Sequence, residues 1–239
     1  MKSNSRNPGY LRFIRRLSAL AFLLIIFHQN FARAEGVEKV IDGKFGYVLR
    51  SAVWVDDFGN PSKMLTICWE SSAPEYEQQR ALVRAAITET WQRYSNISFS
   101  GWAQCSSAGA NIHIQTLDAN PHTKGLGNQL NNIANGMVLD FSFQTWSPSC
   151  RLNPTMYEMC VRSIAVHEFG HALGLAHEQN RNDRDVSCDK PAQGASGDLV
   201  LTKYDPDSVM NYCNPKYNNF GKLSFSDVVS IQKLYGTPK

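Results

Sequence analysis

The order of elements predicts a single domain of mixed α+β or α/β class with a cleft. Three observations carry this. A strand, a long helix and further strands precede a second helix, and a long irregular tail with a closing helix follows it. The second helix carries His167-Glu168-Phe169-Gly170-His171, whose side chains would line such a cleft. With 43% hydrophobic and 19% charged residues over 239 positions, the chain has the composition and length for one sizeable core.

Residues 1–34 read as a signal peptide. A basic stretch ends at Arg16, an apolar run spans Leu17 to Phe27, and Ala32-Arg33-Ala34 offers an A-x-A cleavage site. The apolar run is too short to cross a bilayer comfortably, so no stable membrane association is expected after cleavage. The leader also distorts the overall charge. It holds Lys2, Arg6, Arg12, Arg15, Arg16 and Arg33 and no acid, which leaves 18 basic against 21 acidic residues, a net charge of −3. Nothing in that balance suggests a nucleic-acid partner.

Residues 35–239 then form one domain, with an upper part to about 177 and a lower part over 178–239. Glu35 to about Arg50 is a lead-in without an evident latency device. An extended piece at 46–55 is followed by turn chemistry at Asp56–Pro61, and Met64–Trp69 reads as a strand. Ser72 and Pro74 open a helix to about Tyr94, whose Val83, Ile87, Trp91 and Tyr94 recur at helical spacing. Arg80, Arg84 and Arg93 are its solvated side. Strands are expected at Ile97–Trp102, Asn111–Gln115 and Gly136–Phe143, with a polar loop between His122 and Asn135. Cys160–Leu173 is the helix that bears the histidines. Its Val161, Ala165, Phe169 and Ala172 should pack on the sheet. Residues 180–222 are rich in Asn, Asp, Gly and Pro and predict irregular structure. Ser224 caps a last helix to about Tyr235, closed by Gly236.

All six cysteines lie beyond the leader, and an even number in an exported chain implies disulfides. Six cysteines allow 15 pairings, and spacing does not choose among them. Neighbour pairing, Cys68–Cys105, Cys150–Cys160 and Cys188–Cys213, is the working expectation.

The functional signal is the stretch from His167 to His177, H-E-x-x-H-x-x-G-x-x-H. His167 and His171 are four residues apart, so a helix stacks them on one face. Six more residues of helix would carry His177 roughly 9 Å along the axis and off that face. The chain must therefore reverse, and Gly174 tolerates the positive φ this needs. Three imidazoles on one Zn²⁺ leave a fourth position open for water, the arrangement of catalytic sites, with Glu168 beside it as base. His113 and His122 read as surface or packing histidines.

This extended motif resembles the signature of the metzincin zinc endopeptidases. The run Glu178-Gln179-Asn180-Arg181-Asn182-Asp183-Arg184-Asp185 is similar to the H-E-Q-x-R-x-D-R-D run of astacins, and Ser208-Val209-Met210-Asn211-Tyr212 resembles their Met-turn. The closing Leu234-Tyr235-Gly236 looks like the last helix of matrixins. Asn211 departs from the histidine of the astacin pattern, and no astacin-type prodomain is visible. The resemblance implies a metzincin-like zincin domain, with a twisted mostly parallel sheet, two long helices, an active-site cleft and an irregular C-terminal subdomain ending in a helix. It implies one catalytic Zn²⁺ on His167, His171 and His177, with Glu168 as catalytic base. It implies Met210 as a structural floor beneath the ligands, and Tyr212 as a catalytic group able to ligate zinc or stabilise the oxyanion. Glu178 has a family role at a new N-terminus, or pairs locally with Arg181 or Arg184. The expected activity is secreted zinc-dependent endopeptidase, through a zinc-bound water activated by Glu168, on protein or peptide substrates. The substrate would pair with an edge strand, with Gly136–Asp140 as its candidate. A monomer, extracellular or periplasmic in a bacterium, is expected. The alternatives are a secreted binding module that keeps the fold but cleaves weakly, and a narrow hydrolase of cell-wall peptides.

Overall fold

The computed structural model describes residues 47–239. The expected leader and the lead-in up to residue 46 lie outside them. Five strands form one sheet: β2 (Met64–Trp69), β3 (Ser98–Gln104), β4 (Ile112–Thr116), β5 (His122–Thr123) and β6 (Met137–Leu139), in the order β3-β2-β4-β6-β5. Strands β3, β2, β4 and β6 run parallel, and β5 is antiparallel to β6. A two-stranded ribbon pairs β1 (Tyr47–Val48) with β7 (Leu199–Val200). The class is thus the mixed α/β expected; β2, β3, β4 and β6 fall at the predicted places, whereas β5 and β7 lie in stretches read as loop or irregular.

The expected edge strand is corrected. Met137–Leu139 is hydrogen-bonded on both sides, to β4 and β5, so it cannot accept a further strand. The edge belongs to β5, within the stretch read as loop. A strand of two residues carries too little alternation to stand out from a polar run.

Helix α1 (Glu77–Ile87) continues through a wider turn over Thr88–Gln92. Its apolar stripe buries Val83, Ala86, Ile87 and Trp91, and the Trp91 indole N–H donates to the Val166 carbonyl at 2.8 Å. That bond joins it to α2 (Pro154–Ala172), which starts six residues earlier than expected. Asn153 caps it, accepting from the Met156 N–H at 2.9 Å, and Pro154 occupies the first turn. From Cys160 to Ala172 every side chain but Arg162 is buried. Such a helix is held by its whole circumference, which fixes the direction of each histidine it carries.

The three disulfides follow neighbour pairing: Cys68–Cys105, Cys150–Cys160 and Cys188–Cys213. The first ties β2 to the end of β3, and the second ties α2 to the turn before it. The last helix, α3 (Phe225–Tyr235), opens with a reciprocal cap between Ser224 and Asp227. Its Tyr235 hydroxyl donates to the Leu173 carbonyl at 2.9 Å, which docks α3 on the end of α2 that bears the site. Among the described residues no helix is long and apolar enough to cross a membrane.

Candidate metal centre

The site begins with the way α2 ends. Gly174 has φ +95°, the Leu175 N–H donates to the Gly170 carbonyl (3.0 Å), and the Gly174 N–H donates to the His171 carbonyl (2.9 Å). This pair of bonds is the Schellman reversal, which satisfies the last carbonyls of the helix and turns the chain back. The returning strand is held by β1, whose Tyr47 carbonyl accepts from the Ala176 N–H at 2.8 Å. His177 then faces the two helix histidines. Its Nε2 lies 3.1 Å from His167 Nε2 and 3.0 Å from His171 Nε2.

Each ring is oriented from behind by a backbone carbonyl. The Nδ1–H of His167 donates to Val209 (2.8 Å), that of His171 to Leu175 (2.8 Å), and that of His177 to Gln193 (2.9 Å). A carbonyl accepts only, so Nδ1 carries the proton and the neutral ring keeps its lone pair on Nε2. Burial, and then the neighbouring His177, lowers His167 to about 3. Burial puts His171 well below its ordinary value and lowers His177 as well. Three lone pairs therefore converge with no proton between them, which is unfavourable unless a cation sits at their meeting point. A tetrahedral zinc with bonds of about 2.0–2.1 Å needs nitrogens roughly 3.3 Å apart, close to the spacing here. The donor set fits Zn²⁺, and the carbonyls behind it are the outer shell such sites require.

Glu168 points into the same space. It is buried, and its Oε2 has no hydrogen-bond partner among the described residues. Burial without a cation pushes its carboxyl up to about 8. It lines two adjoining cavities, of ≈ 340 and ≈ 330 Å³, that share Glu168, Tyr212 and Gln193 along their common wall. Lys190 and Tyr217 border the first, and β5 borders the second. Tyr212 stacks on His167 with ring centroids 5.2 Å apart and planes 17° from parallel, and lies 4.4 Å from the His177 ring. Burial, and then the charge of Glu168, raises its phenol.

Met210 lies beneath the ligand helix. A methyl group at Gly170 would stand 2.3 Å from the Met210 sulfur and 3.2 Å from Trp91. Glycine inside a helix costs about 1 kcal/mol relative to alanine, and here it admits the sulfur between the two ligand positions. Gly170→Ala is therefore expected to force the buried Met210 thioether and the Trp91 ring aside, against the propensity gain. The predicted loss is about 1–3 kcal/mol, read as a Tm lower by several degrees. An unchanged or higher Tm would show that the turn yields freely.

The Met210 turn is fixed from α3. Asp227, buried, accepts from the Ser208 hydroxyl (2.7 Å), the Val209 N–H (2.9 Å) and the Ser224 N–H (2.9 Å). Val209 in turn presents its carbonyl to His167. Glu178 pairs with Arg181 at 2.9 Å and accepts from the Asp205 N–H at 2.9 Å, the local alternative of its two expected roles. Burial pushes Glu178 up to about 7, against the pull of Arg181. Gln179, fully buried, accepts from the Tyr212 N–H at 3.1 Å.

All six residues expected at the site thus meet there: the three histidines, Glu168, Tyr212 and Met210. His113 and His122 lie apart from it. His113 packs between Glu70 (3.1 Å) and Asn132 (3.2 Å), and His122 bonds the Asn120 carbonyl. Sequence reasoning missed Gly170, Gln193 and Asp227. Glycine in the middle of a helix was the one available signal, for Gly170.

Known proteins resemble this chain in sequence and in fold. Residues 155–193 match the astacin family of peptidases. The interstitial collagenase of Bos taurus is 27% identical over 167 residues, covering 63% of this chain and 34% of that protein. The zinc metalloproteinase nas-20 of Caenorhabditis elegans is 38% identical over 98 residues, covering 34% of this chain and 26% of that protein. The chain thus spans about a third or less of these relatives. The solved structure of myroilysin superposes with a TM-score of 0.53 at 20% identity, covering 81% of this chain and 100% of that one, a likeness of fold. The fold is thus like that of myroilysin, and it brings His167, His171 and His177 within reach of one metal ion. The similarity to astacins over 155–193 falls on the ligand helix and the run after it.

Proposed function

We propose that the chain is a secreted zinc-dependent endopeptidase. The observation that carries this is the convergence of three carbonyl-oriented Nε2 atoms beside a buried carboxylate oxygen without a partner, where two cavities meet. His167, His171 and His177 would hold the ion. When bound, zinc supplies a Lewis acid that polarises a carbonyl and lowers the pKa of water toward ~7. Glu168 accepts the proton of the attacking water at its free Oε2 and delivers it to the leaving amine. Tyr212, stacked on His167 and lining both cavities, would donate its hydroxyl to the developing oxyanion. Met210 keeps the histidine rings from sinking into the core. Residues on either side of the scissile bond occupy the two cavities, and β5 offers the open edge for a peptide running between them.

Three disulfides accord with export to an oxidising compartment, and residues 1–34 are the segment that would direct it. The purified mature protein should contain one zinc per chain and cleave denatured casein, with activity lost to a chelator and restored by zinc. Zinc uptake without cleavage of a peptide library would instead support the binding module, and cleavage confined to cell-wall peptides the narrow hydrolase.

A further inference from the structure

The three carbonyls behind the histidines differ in how they are held. Leu175 sits in the Schellman reversal at the end of α2, and Val209 is held by Asp227 of α3. Gln193 belongs to a largely exposed stretch, 182–198, that contains neither helix nor strand. Something else must keep its carbonyl in place.

We propose that Asn180 is the positioning residue for the third zinc ligand. Its side-chain amide pairs with the Gln193 backbone at two points. Asn180 Nδ2 donates to the Gln193 carbonyl at 2.7 Å, and the Gln193 N–H donates to Asn180 Oδ1 at 2.9 Å. The same carbonyl oxygen accepts the His177 Nδ1–H at 2.9 Å. The amide thus acts as one rung of a β-ladder between the turn after His177 and the outer loop. A carbonyl has two lone pairs, one for the amide and one for the imidazole. Asn180 lies three residues beyond His177, in a 3-10 turn (Glu178–Asn180) whose flanking side chains, Glu178 and Gln179, already hold the Asp205 and Tyr212 N–H groups. It occupies the position that the astacin-like run leaves open. Other fasteners hold the loop, among them the Cys188–Cys213 disulfide, Arg184 donating to the Lys190 carbonyl at 3.1 Å, and the Asp198 N–H donating to the Val48 carbonyl at 2.9 Å. None of these three touches Gln193. Gly194 leaves 3.7 Å between an added methyl group and the His177 ring, so the loop lies against the imidazole it orients.

The same loop supplies Lys190 and Gln193 to one cavity and Gln193, Gly194 and Ala195 to the other. Asn180 therefore acts on metal retention and on substrate fit through the same paired bonds to Gln193. This inference rests on the zinc reading of the histidine cluster. Loss of an outer-shell partner typically costs 10–100-fold in metal affinity. Asn180→Ala and the isosteric Asn180→Asp, which opposes a carboxylate oxygen to the Gln193 carbonyl, are expected to lose zinc about 10–100-fold more readily in competition with a chelator. The visible bands of the cobalt-substituted protein should shift, and KM should rise together with the fall in kcat. Val186→Ser, at a fully exposed position of the same loop, serves as control and should match wild type. Zinc affinity and cobalt spectrum unchanged in both Asn180 variants, or an equal loss in the Val186 control, would overturn the assignment. A wild-type chain that takes up no zinc would instead overturn the reading on which it stands.

Discussion

Glu168→Ala is expected to keep its zinc and lose nearly all peptide hydrolysis. The residue follows a ligand in sequence, yet its Oε2 makes no hydrogen bond and the imidazoles satisfy one another's geometry without it. Removing it leaves the donor set intact. What goes is the only carboxylate, among the described residues, that borders both cavities. General acid–base groups typically contribute about 10²–10⁴-fold, and one residue that takes up and returns the proton should sit at the upper end or beyond. Glu168→Gln makes the argument sharper, because it preserves size and polarity and removes only the proton affinity. Burial alone would keep Glu168 protonated up to about pH 8, a poor state for a base. A dication on the three histidines favours the carboxylate and brings that value down. The base is therefore competent only when the metal is present, and both variants should resemble the chelated wild-type protein in rate while differing from it in zinc content. Turnover of a quenched peptide near the wild-type rate in either variant would remove Glu168 from the chemistry.

The parts of this site that were legible in the sequence are those whose spacing the metal itself dictates. His167 and His171 must be one helical turn apart, Gly174 must permit the reversal, and His177 must arrive at a fixed offset; each condition leaves a side-chain mark. The orienting shell leaves none. Val209, Leu175 and Gln193 act through carbonyls that any residue could provide, so their identity carries no signal. Asp227 reads locally as the third residue of a capping box, and only the fold brings it to the Val209 N–H across 18 positions. The substrate edge was misplaced for a related reason. Met137–Leu139 is apolar because it is buried between two strands, whereas the true edge, His122–Thr123, is polar because it is open. Burial and edge position oppose each other in composition, so an apolar run is a poor guide to an open edge.

The second large effect expected is on stability, and it depends on pH and metal together. In the unfolded chain histidines take up protons near pH 6.5, whereas in the fold burial lowers His167 to about 3 and puts His171 and His177 below their ordinary values. The fold binds these protons less readily, so its stability is fully present above about pH 6.5 and erodes as pH falls toward 3. The slope approaches about 1.4 kcal/mol per pH unit for His167, and His171 and His177 add to it in the same direction. Glu168 and Asp227 run the other way. Burial raises them to about 8 and about 6, so the neutral acid suits the fold, and their contribution is lost as pH rises from about 4 through those values. The metal-free protein should accordingly be most stable in mild acid, where neither loss is complete. Zinc changes the balance, because it requires neutral imidazoles and favours the Glu168 carboxylate. At 1,000 times its dissociation constant a ligand adds about 4 kcal/mol, roughly 8–16 °C in Tm for a domain of this size. Thermal melts with and without chelator should thus differ by that order at pH 8 and converge by about pH 4, with proteolytic activity following the same curve. Identical melts at pH 8 would mean that the histidine cluster holds no ion in the folded protein. Chelator-sensitive melts at pH 8 combined with full activity at pH 4 would place the chemistry somewhere other than on these three imidazoles.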